Sequence, residues 1–290
     1  MTPPSTESSA SGAGLGAQEL PGGPLAQALA EMGAAGARLD QLHACEAGAG
    51  NISVALRAAG AIDEVFPLAE PFELPHPAPR LAGWTVLVTG SGQRLRDLAA
   101  APLAGVAAIA VGEQGRVGEL RSAPQRAWQA PTSELNSHLA VHQDQVARQP
   151  GLERHAVVHA QPPYLVALSH VAANREAGVF NQRILRWEPE TIIQLPQGLA
   201  VLEFMVPGSE ELCQASVAAL RRHRLAVWSK HGVLGCSPAG PLKVVDLIEY
   251  AETGAFYDHL NTAAGSPSRG LTNAELRAVA TAFNVQTPLL

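Results

Sequence analysis

Apolar residues recur every three to four positions over residues 24–46, and Leu25, Leu29, Met32, Leu39 and Leu42 fall on one side, which predicts a helix. Ala47-Gly48-Ala49-Gly50 ends it in a tight turn, and 51–57 reads as a strand. Residues 65–83 hold five prolines and predict a long surface loop. A β-rich run at 84–88 ends in Thr89-Gly90-Ser91-Gly92, and 106–111 with 116–121 predict a hairpin across Glu113-Gln114-Gly115. A helix is expected over 133–148, entered from Pro131 and capped by Thr132 or Ser133. A short strand at 155–159 follows, and Pro162-Pro163 opens another helix.

Further on, the pattern predicts a helix at 176–186 and strands at 191–195 and 199–204. Ser209 caps a helix running to 223, with Glu211 in its first turn, and strands at 225–228 and 232–235 flank His231. A long helix covers 241–261, and Thr272-x-x-Glu275 forms a capping box for a last helix ending near 283. Residues 1–22 are Ser, Gly, Pro and Ala with almost no large apolar side chain, which predicts a disordered tail. Interleaved strands and helices without internal repeats predict one α/β domain over 23–290 with a mixed sheet.

Composition narrows the partners. The chain has 290 residues, 20 basic against 26 acidic, and a net charge of −6, with a pI near 5.9 and no basic cluster. Nucleic acid is therefore not an expected partner, since phosphate contacts need Lys and Arg. A hydrophobic fraction of 47% and a mean hydropathy of +0.06 argue against general disorder. Cys45, Cys213 and Cys236 are far apart and in no CxxC pair, so neither a disulfide framework nor a zinc finger is expected. No signal peptide is legible, and the longest apolar stretch, 98–111, is broken by Pro102 and short of the roughly 20 residues a membrane span needs. A soluble, cytoplasmic protein without a membrane partner is expected. Only Lys230 and Lys243 are available for Schiff-base chemistry.

Several residues stand out chemically. His159 and His231 each end an apolar β-like run, where polar side chains reach the edge of a sheet. Gln161 lies two residues beyond His159, on the same side of an extended segment. From these residues alone, two structural histidines and a His-x-Gln chelate are both open readings. Glu134 is either a first-turn carboxylate stabilised by the helix dipole or a general base held at a helix start. The turns Gly48-Ala49-Gly50-Asn51-Ile52-Ser53 and Thr89-Gly90-Ser91-Gly92 are ordinary turns or anion cradles, and neither fits a Walker A or dinucleotide fingerprint.

Taken in order, these pieces resemble the class II aldolase/adducin family: Gly50-Asn51-Ile52-Ser53, VTGSG at 88–92, PTSEL at 131–135 with His138 behind it, VVHAQPPYLVALSH at 157–170, Pro189-Glu190 followed by FMVPGS at 204–209, and VWSKHGVLG at 227–235. The co-linear match spans about 24–285. The resemblance implies a three-layer α/β/α fold with a mixed, mostly antiparallel central sheet. It implies a metal-dependent lyase of the aldolase type acting on a ketose 1-phosphate. The alternatives are another lyase or epimerase of the family, or a non-catalytic member acting in binding or assembly. His159, Gln161 and His231 would hold a divalent metal, with Zn²⁺ expected. Glu134 would be the catalytic acid/base and Glu190 a second carboxylate near the substrate. Gly50, Asn51, Thr89, Gly90, Ser91 and Ser133 would line the phosphate and dihydroxyacetone site. A fourfold homotetramer with sites near subunit interfaces is also implied. The family's usual metal pair is His-x-His, and Gln161 in its second position is a neutral, harder donor than imidazole. Carbon–carbon cleavage needs either a lysine Schiff base or a Lewis-acid metal, and two lysines outside apolar segments favour the metal.

Overall fold

The computed structural model describes residues 22–290, so the tail expected at 1–22 lies outside the described residues except for Gly22. Among the described residues nine strands form one sheet: β1 Asn51–Leu56, β2 Leu68–Glu73, β3 Thr85–Thr89, β4 Val106–Val111, β5 Val117–Ser122, β6 Arg154–Ala160, β7 Ala200–Leu202, β8 Leu225–Trp228 and β9 Gly232–Ser237. Their order is β2-β5-β4-β3-β1-β6-β9-β8-β7. Only β7 and β8 run parallel; every other neighbouring pair is antiparallel.

Helices cover both faces, giving the expected three layers. Ile52, Val54, Leu87 and Val158 share a core with Leu29 and Met32 of the helix Pro24–Gln41 and Val244 and Ile248 of the helix Pro241–Ala263. Val86 and Val88 meet Leu135 and Leu139 of the helix Leu135–Arg148 on the other face, where Val157 and Trp228 also meet Leu212 of the helix Glu210–Leu220. Coverage on both sides explains why β1, β3 and β9 are buried at every position, the polar Asn51 and Ser53 of β1 included. Glu252 of the long helix accepts hydrogen bonds from the N–H groups of Tyr164 (2.8 Å) and Leu165 (2.9 Å), capping the helix Pro163–His170.

Two expected elements are corrected. The segment 65–83 is not all loop, because β2 forms inside it. As an edge strand β2 tolerates Pro71, whose missing N–H would break a central strand. The strand expected at 191–195 is instead the helix Pro189–Gln194. Pro189 starts it, and Thr191 and Ile192 are buried as it packs on the helices Pro241–Ala263 and Asn273–Ala282. Here tertiary burial overrides the strand preference of a β-branched run. The helix expected from 133 begins two residues later, at Leu135, with Glu134 at the N-cap and no side-chain cap bond.

Gly36 marks where the first helix approaches the segment Leu95–Asp97: a Cβ there would lie 2.2 Å from the Leu95 carbonyl oxygen. Helix propensity favours Ala over Gly by about 1 kcal/mol, but the clash is with backbone that cannot swing aside. Gly36→Ala is expected to lower the unfolding free energy by about 1–3 kcal/mol in urea titration; unchanged or raised stability would show that the two segments can separate freely.

Candidate active site

Antiparallel pairing gathers four strand ends at one end of the sheet. β1 and β9 begin there and β3 and β6 end there, with Asn51 paired to His159 and Ala160 to Val233. Gly90 bridges Pro131, and Thr132 N–H donates to the Thr89 carbonyl (3.1 Å), which brings Ser133 and Glu134 to the same place.

The two histidines are oriented by different means. His159 Nδ1 donates to the Val233 carbonyl (3.0 Å), which puts the ring hydrogen on Nδ1 and leaves the Nε2 lone pair facing the site. His231 sits in the three-residue turn between β8 and β9. Lys230 turns the chain there at φ +66°, and His231 N–H donates to Trp228 O (2.9 Å). The Trp228 ring stacks on His159 (centroids 4.7 Å apart) and on His231 (5.3 Å). Gly232 permits this closeness, since a Cβ there would lie 2.4 Å from the Ala160 carbonyl oxygen and 2.7 Å from His159 Cε1.

Glu134 completes the group. Its Oε2 lies 3.8 Å from His159 Nε2 and its Oε1 3.7 Å from His231 Nε2. One donor atom from each residue lies within 4.8 Å of the others, a set able to hold a divalent cation. Glu134 is only 5% exposed, and Asn51 Nδ2 donates to its Oε2 (2.8 Å). Burial raises the Glu134 pKa, but His159, the Asn51 amide, His231 and His138 together hold it below the usual carboxylate range. Burial, helped by His159 and opposed by Glu134, pushes His231 down to about 4, so at neutral pH it is the uncharged imidazole that metal ligation requires. A second group, His76, Glu210 and Cys213, also clusters within 4.8 Å. There burial and Glu210 push the Cys213 thiol up to about 11, which keeps it protonated at neutral pH.

The residues surround a cavity of about 230 Å³, lined by Gly50, Asn51, Gly90, Ser91, Ser133, Glu134, His159, Gln161 and His231 among others. Two expected site residues are not in its lining. Thr89 is buried and its Oγ1 accepts from Ile52 N–H (3.2 Å), tying β3 to β1. Glu190 is exposed in the first turn of the helix Pro189–Gln194, in the opposite layer from Glu134. Gln161 lines the cavity, and hydrogen-bond complementarity assigns its amide nitrogen to the Glu46 carboxylate, to which it then donates (2.8 Å). Neither lysine is in the lining, and Lys243 Nζ donates to Gln194 Oε1 (2.8 Å).

Four polar residues behind the cavity had no expected role. Asn51 Oδ1 is 2.5 Å from His138 Nε2, and Ser53 Oγ is 2.6 Å from His138 Nδ1 and 2.7 Å from His142 Nε2. His142 Nδ1 is 2.8 Å from His155 Nδ1. The available signal was spacing: Glu134, His138 and His142 are four apart on one helix face, and Asn51 and Ser53 share a face of β1. Burial pushes His138 down to about 4 against the pull of Glu134, His155 down to about 3, and His142 well below its usual value.

Residues 30–256 match the Class II Aldolase and Adducin N-terminal domain, and the chain belongs to that family. The rhamnulose-1-phosphate aldolase of Klebsiella pneumoniae subsp. pneumoniae is 30% identical over 218 residues, covering 73% of this chain and 76% of that protein. The same-named protein of Escherichia fergusonii is 30% identical over 228 residues, covering 76% and 80%. A sugar-phosphate aldolase from Thermotoga maritima superposes with a TM-score of 0.71 at 25% identity, covering 86% of this chain and all of that one. An L-fuculose 1-phosphate aldolase, 18% identical with a TM-score of 0.56 over 89% of this chain and 96% of its own, shares the fold. Family and relatives together make the chain a lyase of the aldolase type. No helix among the described residues is long and apolar enough to cross a membrane.

The buried histidines give stability a pH dependence of definite sign. In the fold they stay neutral, whereas an unfolded imidazole takes up a proton near pH 6.5. Their contribution is complete above that pH and, for His155, is lost as pH falls from about 6.5 toward about 3. His155→Leu is therefore expected to flatten the fall in unfolding free energy between pH 7 and 5 by about 2 kcal/mol, read by urea titration at each pH. Parallel profiles would mean that His155 takes up its proton in the fold at the same pH as in the unfolded chain.

Proposed function

We propose that the chain is a cation-dependent aldolase that cleaves a ketose 1-phosphate, L-rhamnulose 1-phosphate foremost, to dihydroxyacetone phosphate and L-lactaldehyde. The observation that carries this reading is the convergence of Glu134, His159 and His231 on one cavity. The similarity to rhamnulose-1-phosphate aldolases over about three quarters of the chain supports the choice of substrate.

His159 and His231 would hold the cation, with Zn²⁺ expected, through their Nε2 atoms. The Gln161 oxygen would serve as a further donor, since its nitrogen is engaged by Glu46. When bound, the cation supplies Lewis-acid polarisation of the substrate ketone. Glu134 moves the proton at the carbon that acts as nucleophile in the aldol direction, from a position fixed by Asn51. Asn51 thus serves the carboxylate first, its amide being occupied by Glu134 and His138.

The phosphate would rest against Gly90, among neutral donors at Gly50, Ser91 and Ser133. Gly90 N–H is already given to Gly105 O (2.8 Å) and Ser91 N–H to Ala130 O (2.8 Å), so the contribution of Ser91 is its exposed hydroxyl. A cavity of about 230 Å³ is small beside the roughly 300–1,000 Å³ usual for ligand sites. Exposed Phe204 and Val206 lead into Pro207 at its edge. Both features support a wall supplied by a neighbouring subunit of a homotetramer, whose own Glu190 would then be the second carboxylate. A phosphorylated sugar as substrate supports a cytoplasmic location.

Turnover should be measured on a panel of ketose 1-phosphates before and after chelation. Cleavage that stops on chelation and returns with Zn²⁺ is expected; a protein that binds no divalent cation and cleaves none of the panel would overturn the reading. Glu134→Gln should lower kcat by at least ~100-fold while the cation content stays unchanged, and near-normal rates would reduce Glu134 to a helix N-cap. Gln161→His should tighten Zn²⁺ binding in calorimetry, because imidazole is the better zinc donor; unchanged affinity would place residue 161 away from the cation.

A further inference from the structure

Glu134, Asn51, His138, Ser53, His142 and His155 form a line of hydrogen bonds that leads from the cavity into the layer between the sheet and the helix Leu135–Arg148. Elementary donor–acceptor rules fix every hydrogen in it from one end. An ionised carboxylate only accepts, so Asn51 gives it an N–H, and the Asn51 oxygen must accept from His138 Nε2–H. His138 Nδ1 is then left to accept from the Ser53 hydroxyl. Ser53 Oγ accepts in turn from His142 Nε2–H, and His142 Nδ1 accepts from His155 Nδ1–H. Each imidazole is neutral in a single tautomer, and every hydrogen points toward Glu134. At the far end His155 Nε2 is buried with no partner among the described residues, as the terminal acceptor of such a chain is when nothing donates to it.

Ser53, His138, His142 and His155 are fully buried. A network needed only for packing has no reason to align its dipoles, and an apolar core would serve as well or better. A chain whose donors all point one way polarises cooperatively toward the acceptor at its end. That acceptor is the carboxylate facing the cavity.

We propose that His138, Ser53, His142 and His155 are positioning residues that act through Asn51 to fix the orientation of the Glu134 carboxylate for proton transfer, an inference that rests on the reading of Glu134 as the acid/base. The burial that keeps the three imidazoles uncharged agrees with this arrangement.

The test compares His138→Leu, which removes both a donor and an acceptor next to Asn51, with His138→Gln, which restores one of each. Steady-state cleavage of L-rhamnulose 1-phosphate by the cation-loaded protein should show kcat reduced roughly 30- to 100-fold in the Leu variant, with KM within about threefold, and recovery to within about tenfold of the native rate in the Gln variant. A merely structural role would change stability and leave kcat per folded molecule intact. Full-rate cleavage by His138→Leu, or equal slowing by Leu and Gln, overturns the proposal. Glu134→Gln assayed alongside separates the two readings. If it too cleaves at the native rate, the role of Glu134 has failed; if it is inactive while His138→Leu is not, only the positioning has failed. A readout independent of turnover and of the variants' folding is ¹⁵N NMR of the native protein at pH 7. Hydrogens on Nε2 of His138 and His142 and on Nδ1 of His155 are expected, and any other tautomer set overturns the chain.

Discussion

A carboxylate with a twentieth of its surface exposed takes up a proton unless hydrogen-bond donors and positive potential replace the water it has lost. Glu134 meets that requirement with an amide hydrogen from Asn51, and a cation held by the Nε2 atoms of His159 and His231, which face it, would supply the positive potential. Much of the surrounding structure follows from it. Asn51 can serve only if its own oxygen is satisfied, which calls for His138, and His138 in turn calls for Ser53. The β1–β6 register is part of the same constraint, because pairing Asn51 with His159 presents both to the face that looks at Glu134. A slip of one residue would turn Asn51 and Ser53 to the opposite face and strand the carboxylate.

The cation donors depend on backbone in a different way. His159 is oriented by a carbonyl of the neighbouring strand, and His231 is carried by a hairpin turn whose close approach requires Gly232. Trp228 closes the back of the pair by stacking on both rings. Strands that end at one edge therefore deliver ligands from residues 72 positions apart without any flexible segment between ligand and sheet, which suits a site that must keep its geometry through turnover.

Local periodicity made most of the fold legible. The first helix, the β4–β5 hairpin, the Ser209 cap and the Thr272–Glu275 capping box are all present. The failures have physical causes. Prolines in 65–83 read as loop because their cost depends on whether a strand is central or at an edge, and that is a property of the sheet. Thr191-Ile192-Ile193 reads as strand by propensity and is helical because two neighbouring helices bury it. Thr89 carries a hydroxyl suited to an anion, but the start of β1 takes it up.

The amino-acid sequence by itself determined the kind of chemistry available: two lysines outside apolar segments, histidines at the ends of buried runs, glycine-rich turns without a basic patch, and enough motif order to place the family. Only the tertiary structure decided which nitrogen of each histidine faces the cavity, that Gln161 turns its amide nitrogen to Glu46, that Glu190 lies in the opposite layer, and that Ser53, His138, His142 and His155 connect to Glu134. The reason is range. Spacing along the chain governs contacts within a turn or a strand, whereas hydrogen-bond direction and burial depend on partners such as Asn51 and Glu134, 83 residues apart, that meet only when the sheet closes.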